Sequence, residues 1–72
     1  MATFSERLKE LRKDKNLTQK SLAEKVGSAR RSIQSYELDI NKPTSDVLIA
    51  LADFFDVSVD YLLGRTDNPK RF

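Results

Sequence analysis

The sequence predicts an all-α protein, a compact bundle of five short helices, and two observations carry this prediction. Apolar residues recur every three or four positions, and no useful length of chain alternates apolar and polar residues as a half-buried strand does. Ser or Thr precedes most of the apolar stretches, where its hydroxyl can accept a hydrogen bond from an amide of the first helical turn. With 72 residues, the chain has room for one domain.

The first helix is predicted from a capping box. Thr3 and Glu6 stand three residues apart, so the hydroxyl and the carboxylate can each accept a hydrogen bond from the backbone amide of the other residue. The apolar stripe that follows predicts a helix over residues 4–15. Asn16 suits the left-handed conformation that closes a helix.

The second and third helices are separated by a very short turn. Thr18 is the expected N-cap of the second helix, and Gly27 ends it because glycine adopts positive φ without steric cost. The third helix then begins at Ser28 or Ala29 and continues to about Leu38. Two helices joined in this way cross at a steep angle.

The fourth and fifth helices follow a loop that contains a proline. Thr44 is the predicted N-cap of the fourth helix and Ser58 that of the fifth, which ends at Gly64. We therefore expect one domain over residues 1–64. The remaining residues, 65–72, are polar and are expected to form a frayed tail or the start of a linker.

The composition excludes several classes of protein. The chain has no Cys and no His, which removes disulfides, the usual zinc sites and the common Cys or His catalysts. It also lacks the glycine-rich phosphate-binding motifs. Charged residues make up 33% of the chain, no apolar run is long enough to span a membrane, and the N-terminus lacks the apolar core of a signal peptide. We expect a soluble cytoplasmic protein without metal, cofactor or catalytic residues.

The small net charge of +2 hides an uneven distribution. Residues 1–36 carry nine Lys and Arg against four acids, a net charge of +5, whereas residues 37–72 carry four against seven, a net charge of −3. Such asymmetry is typical of a protein with one half facing a polyanion. An unevenly charged, solvated surface would look the same in sequence.

The segment from Gln19 to Glu37 contains the most informative pattern. Ala23 is small where a second helix must approach closely, and Gly27 permits the tight turn. Val26 and Ile33 are placed to pack beneath that turn and fix the angle between the helices. This pattern predicts a helix-turn-helix, whose second helix presents its N-terminal half outward and fits a DNA major groove.

Nearly the whole chain, from Phe4 to Gly64, resembles the phage-repressor and Cro-like (XRE-type) helix-turn-helix family. The resemblance rests on three stretches in order: ERLKELRKDKNLTQKSLAEKVG, SIQSYE and KPTSDVLIALADFFDVSVDYLLG. It implies a lambda-repressor-like fold in which the second and third helices form the helix-turn-helix. It also implies a sequence-specific DNA-binding regulator of transcription, a repressor that occupies operator DNA.

The resemblance assigns DNA-contacting roles by position. The base-reading positions that it implies are Arg30, Arg31, Gln34 and Ser35, the last two at positions where contacts to bases or to nearby phosphates are found. The phosphate-contacting positions are Gln19, Ser28, Asn41 and Lys42, and Gln19 also corresponds to the glutamine that buttresses the first reading residue.

Arg30 and Arg31 have a chemical argument of their own. An arginine fork can donate to O6 and N7 of guanine, and two arginines at a helix N-terminus oppose the helix dipole unless an outside anion is present. The alternative is a solvated helix end. Which of the two reads bases, and which contacts phosphate, stays open.

Two further positions of the resemblance are structural. Arg12 and Glu37 match a partly buried ion pair between the first helix and the end of the recognition helix. Tyr36 is interpreted as a core residue whose hydroxyl could still reach a phosphate.

The chain departs from the family pattern in two places. Ser28 and Ala29 stand where a hydrophobic residue and a small polar cap are usual, so either Ser28 caps the third helix one residue early or Ala29 lacks a phosphate contact. Asp39 replaces a common glycine, which tolerates the left-handed backbone better.

One module of this size touches too few base pairs to be selective, so we expect a homodimer that reads an inverted repeat. The candidate dimer residues are Val57, Val59, Tyr61 and Leu62, with plain core packing as the alternative.

Three functions are compared. The first is the repressor, bound to double-stranded DNA and to a second copy of itself, in the nucleoid of a prokaryotic cell or encoded by a phage. The second is a protein-interaction module on the same fold, an antitoxin or a bridging adaptor, with a toxin, an anti-repressor or an effector protein as its partner. An enzyme is the weakest reading, because the sequence offers no catalytic motif.

Overall fold

The structure is a computed structural model that describes residues 2–71; Met1 and Phe72, the outer ends of the predicted domain and tail, lie outside the described residues. The helices are α1 (Phe4–Asp14), α2 (Gln19–Val26), α3 (Arg30–Glu37), α4 (Ser45–Phe55) and α5 (Val59–Leu62). No strand occurs over residues 2–71, so the predicted all-α, five-helix fold is confirmed. None of these helices is long and apolar enough to cross a membrane.

Hydroxyl side chains cap four of the helices, as predicted. Thr3, Thr18, Thr44 and Ser58 each accept a hydrogen bond from the backbone amide three residues further on. The capping box of α1 is complete, since the Thr3 amide donates to Glu6 Oε1 at 2.9 Å. These contacts satisfy amides that a helix leaves without an internal partner.

The helix ends use left-handed residues. Asn16 and Gly27 adopt φ values of 57° and 70°, as expected, and Asp39 and Asp56 adopt 60° and 56°. Gly64, at φ 78°, is also needed for space, because a Cβ there would lie 2.0 Å from the carbonyl oxygen of Ala2. The N-terminal end of the chain therefore packs directly against the end of α5.

One apolar core lies between the helices. α2 packs most extensively on α3, α1 contacts α3 and α5, and α4 contacts α2 and α5. The buried apolar side chains are Phe4, Leu8, Leu22, Ala23, Ile33, Tyr36, Leu51, Ala52, Phe55, Val57 and Leu62. Tyr36 therefore lies in the core, as interpreted.

The core also claims two of the four candidate dimer residues. Leu62 is fully buried and Val57 is 6% exposed, as in the core-packing alternative, and their role in a dimer contact stays a prediction. The physical reason is that α5 has a single turn, which must bury its apolar residues to stay attached to the bundle. Val59 and Tyr61 stay half-buried, and Leu63 is exposed instead.

Over residues 65–71 the tail is exposed except at Thr66, but hydrogen bonds and ion pairs hold it against the helices, whereas the sequence predicts fraying. The buried guanidinium of Arg7 donates to the carbonyl oxygens of Tyr61 and Thr66 at 3.2 and 3.3 Å and to Asp67 Oδ1 at 3.1 Å. The Ser58 amide donates to the carbonyl of Pro69 at 3.0 Å. Arg71 forms ion pairs with Asp53 and Asp56. The tail fails to fray because a buried arginine needs these acceptors.

Candidate nucleic-acid interface

The turn between α2 and α3 spans Gly27, Ser28 and Ala29. It is closed by a hydrogen bond from the Ser28 amide to the carbonyl of Ala23 at 2.8 Å. A Cβ built on Gly27 would meet nothing within 4 Å, so glycine is favoured there for its positive φ and not for space. Ala23 is buried, as expected of the small residue where the two helices approach closely.

The N-terminus of α3 lacks a side-chain cap. Ala29 is the N-cap residue and makes no side-chain hydrogen bond, so the hypothesis that Ser28 caps this helix one residue early is wrong. The amides of Ser32 and Ile33 donate to the Ala29 carbonyl at 3.0 and 3.2 Å. The amides of Arg30 and Arg31 have no acceptor among residues 2–71, and the first turn contains no acid.

Two cationic side chains project from this uncapped turn. Arg30 and Arg31 are exposed and form neither a hydrogen bond nor an ion pair with any described residue. Gln34, one turn further along, is exposed too, whereas Ser35 is half-buried. Ile33 and Tyr36 face the core, so α3 is divided into a packed side and an open side that carries both arginines.

Gln19, the first residue of α2, has a partner inside the protein. Its Nε2 donates to Glu37 Oε1 at 3.1 Å. The family resemblance implies that this glutamine buttresses the first base-reading residue, but its hydrogen bond in the structure is to the end of α3. Its contact with a phosphate stays a prediction.

The ion pair expected between Arg12 and Glu37 is present. Arg12 Nε donates to Glu37 Oε2 at 2.6 Å and Arg12 Nη2 to Oε1 at 2.9 Å, while Nη1 donates to the carbonyl of Leu17 at 2.8 Å. The Glu37 side chain is 2% exposed. The hydrogen bonds with Glu37 raise the pKa of Arg12 above its ordinary value. One guanidinium thus joins α1, the loop before α2, and α3.

The loop after α3 contains Asn41 and Lys42, both exposed. Lys42 Nζ forms an exposed ion pair with Asp39 Oδ1 at 2.8 Å, so a phosphate would compete with that carboxylate for the ammonium. The exposed apolar side chains of Leu38 and Ile40 lie in the same loop. Neither was singled out by sequence pattern.

The distribution of ion pairs follows the charge asymmetry of the sequence. Three bases of residues 37–71 are paired with aspartates: Lys42, Arg65 and Arg71. The bases of residues 2–36 that form no ion pair with a described residue are Lys9, Lys13, Lys15, Lys20, Lys25, Arg30 and Arg31. Uncompensated positive charge is thus concentrated in the half that contains α2 and α3.

Lys20 is one candidate that the sequence pattern did not identify. It is exposed, it follows Gln19 in the first turn of α2, and it has no ion pair among the described residues. Its place beside a helix N-terminus was the available signal, because amides there attract anions. Residues 2–71 contain no cluster of three or more metal-binding side chains.

A family model described as helix-turn-helix matches residues 8–62. YobD, an uncharacterised HTH-type transcriptional regulator of Bacillus subtilis (strain 168), is 50% identical over 66 residues, which are 92% of this chain and 59% of that protein. The chain therefore spans about three fifths of the length of this relative.

Two solved structures have the same fold. The P22 c2 repressor in complex with synthetic operator 9T is similar with a TM-score of 0.83 and 30% identity, over 88% of this chain and 96% of that one. A complex of the SinR and SinI proteins contains a chain similar with a TM-score of 0.78 and 34% identity, over 85% of this chain and 60% of that one.

Proposed function

Because the chain belongs to the helix-turn-helix family, we propose that it is a sequence-specific DNA-binding regulator of transcription whose α3 enters the major groove. An α-helix with its side chains is about 10–12 Å in diameter, and a major groove is about 12 Å wide. The relatives give this proposal its direction, since they include transcriptional regulators and a repressor solved with operator DNA.

The observation that carries the proposal is the first turn of α3. Arg30 and Arg31 are exposed and without acidic partners among the described residues, at a helix end that lacks a cap. The helix dipole makes that end unfavourable for cations unless an anion is supplied from outside. Duplex DNA supplies both the phosphates and the guanine edges that arginine recognises. Gln34 and Ser35 are the next base-reading positions.

The proposed phosphate contacts lie on both sides of the first turn of α3. We assign them to Gln19, Ser28, Asn41 and Lys42, and we add Lys20 for its exposed ammonium at the start of α2. These residues come from α2, from the turn and from the loop after α3. Contacts on both sides of the recognition helix would fix its orientation in the groove while leaving sequence choice to the base-reading residues.

A dimer is needed to read two half-sites. The longest dimension of the molecule is 28 Å, less than the roughly 34 Å that separates half-sites one DNA turn apart. With Val57 and Leu62 buried, the available apolar residues are Val59 and Tyr61, which are half-buried, together with Ile49, which is 50% exposed. Ile49 and Val59 line one groove of about 330 Å³ between α4 and α5.

Binding-site selection from random duplexes tests the proposal, followed by sedimentation with the selected duplex and a titration with salt. We expect an inverted repeat, two protein molecules per duplex and an affinity that falls steeply with salt. In a prokaryotic cell the protein would then act at the nucleoid, repressing by occupying operator DNA. The absence of any selected sequence, or binding insensitive to salt, would contradict DNA recognition.

A protein-interaction module is the second candidate function. It is favoured by four exposed large apolar side chains, Leu38, Ile40, Ile49 and Leu63, and by the likeness to a chain solved in complex with another protein. The partner would be a toxin, an anti-repressor or an effector protein. A purified protein that stays monomeric, selects no duplex and retains these exposed patches would favour this function over the regulator.

A further inference from the structure

The carboxylate of Glu37 accepts more hydrogen bonds than its ion pair requires. Oε2 takes the Nε of Arg12, while Oε1 takes both Arg12 Nη2 at 2.9 Å and Gln19 Nε2 at 3.1 Å. Glu37 is 6% exposed, so this arrangement is part of the interior. An apolar pair of similar volume commonly packs as well as a buried ion pair. The third hydrogen bond lies outside that pair and ties the Gln19 side chain to it.

The third hydrogen bond joins two positions with different tasks in the proposed DNA complex. Gln19 is the first residue of α2, and Glu37 is the last residue of α3. Thr18 satisfies the amides of Ser21 and Leu22, whereas those of Gln19 and Lys20 have no acceptor among residues 2–71. The start of α2 therefore keeps donors available, and the Gln19 side chain beside them is tied to the recognition helix.

A glutamine amide nitrogen carries two hydrogens. With one hydrogen donated to Glu37, the rotamer of Gln19 is restrained and the second hydrogen remains for another acceptor. A free glutamine side chain would lose much of its rotamer freedom when it bound a phosphate. A side chain already held in place loses less, which favours binding.

We propose that Glu37 is a positioning residue that holds the Gln19 amide against one backbone phosphate, with Arg12 holding Glu37 in turn. The inference rests on the proposed function, since it concerns the geometry of DNA binding. It gives the buried pair a second role, in which the phosphate contact of α2 is set at a fixed distance from the base-reading turn of α3.

Phosphate ethylation interference on the selected duplex tests this role. The variants are Gln19→Ala, which removes the held side chain, and the double variant Arg12→Met/Glu37→Leu, which removes the acceptor while leaving the net charge unchanged. The control is Arg7→Met/Asp67→Leu, which removes the ion pair of another buried arginine of α1 that has no contact with Gln19. Circular dichroism establishes that each protein is folded at the temperature of the assay.

We expect ethylation of one phosphate per half-site to weaken DNA binding by the wild type and by the control. The same ethylation should not weaken binding by Gln19→Ala or by Arg12→Met/Glu37→Leu. Binding losses should also be non-additive, by at least about twofold, when the two changes are combined. Retention of that phosphate effect in Arg12→Met/Glu37→Leu, or its retention in Gln19→Ala, would overturn the inference. A wild type that selects no duplex would instead overturn the proposed function.

A second variant keeps the test decisive if the double variant is unfolded. Glu37→Asp preserves the charge opposite Arg12 and withdraws the carboxylate from Gln19 by one methylene group. We expect ethylation of that one phosphate to have no effect on binding by this variant, while ethylation of the other phosphates weakens its binding as in the wild type. A uniform weakening at all phosphates would mark Glu37 as a purely structural residue.

Discussion

Four arginines of this small protein show how the surroundings of a residue decide its role. Arg7 and Arg12 are enclosed by carbonyls and carboxylates, so their charges are compensated within the protein. Arg30 and Arg31 have no such acceptors among the described residues and stand at a helix end that disfavours cations. The sequence alone identified the second pair and Arg12, but it gave no signal for Arg7, whose acceptors are 54 to 60 positions away.

Arg30→Ala and Arg31→Ala are expected to weaken binding to the selected duplex, by about 1–3 kcal/mol for whichever residue contacts guanine. Substitution of that residue should change the affinity for non-specific DNA little, because phosphate contacts supply most of that affinity. Lys70→Ala, an exposed cation of the acidic half, is the control. Fluorescence anisotropy with selected and scrambled duplexes measures both affinities. Equal losses on the two duplexes would assign the arginine to a phosphate.

Glu6 links stability to pH through the capping box. Hydrogen bonds from the backbone and then the side chain of Thr3 lower the pKa of Glu6 below its ordinary value. A depressed pKa in the folded state contributes stability above the unfolded pKa, and this contribution is lost as the pH falls through the folded pKa. The difference in Tm between the wild type and Glu6→Gln should therefore be present at neutral pH and disappear in acid. A difference that does not depend on pH would contradict the assignment.

At the scale of the element, the local signals predicted well and the non-local ones did not. Thr3, Thr18 and Ser58 cap their helices as expected because capping depends on residues within one turn. The sequence does not decide whether α3 begins at Ser28 or Ala29, because the N-cap residue, Ala29, has no side chain that could cap the helix. α4 also ends at a left-handed residue, Asp56, and no glycine in the sequence indicates this end.

The uncapped start of α3 gives a prediction of its own. Ala29→Ser supplies a hydroxyl that can accept from an amide of the first turn, and we expect it to raise the free energy of unfolding by about 0.5–2 kcal/mol. Ser58→Ala, which removes the cap of α5, should change it by a similar amount in the opposite direction. Urea denaturation measures both. An Ala29→Ser protein no more stable than the wild type would show that this turn cannot accept a cap.

At the scale of the whole molecule, the tail and the apolar surface were the least predictable parts. The apolar pattern around α5 does not show which residue faces the core. In the structure Leu62 is buried and the next residue, Leu63, is exposed. The tail is polar and lacks periodicity, so nothing local indicated that Thr66 and Asp67 complete the surroundings of Arg7. Both features depend on contacts between the ends of the chain.

Truncation after Gly64 removes two of the three acceptors of Arg7 and leaves the carbonyl and ring of Tyr61. We expect a loss of about 1.5–3 kcal/mol in the free energy of unfolding, the value typical of a hydrogen bond to a charged group. Little of this loss should come from the Asp67 carboxylate, because that group is exposed. Truncation after Asn68 keeps these acceptors and is the matched control. Urea denaturation of the two proteins should separate them clearly. Equal stability of both truncated forms would show that the tail does not support Arg7.

The path of the tail also determines how this domain would respond to mechanical load. A force applied at Arg71 would first meet the ion pairs with Asp53 and Asp56, then the hydrogen bond between Pro69 and Ser58, and then Arg7. Only after these contacts had parted in sequence would the backbone transmit tension to the C-terminal end of α5. Load at this end would thus detach the tail in steps before it acted on α2 and α3, the helices that we propose contact DNA.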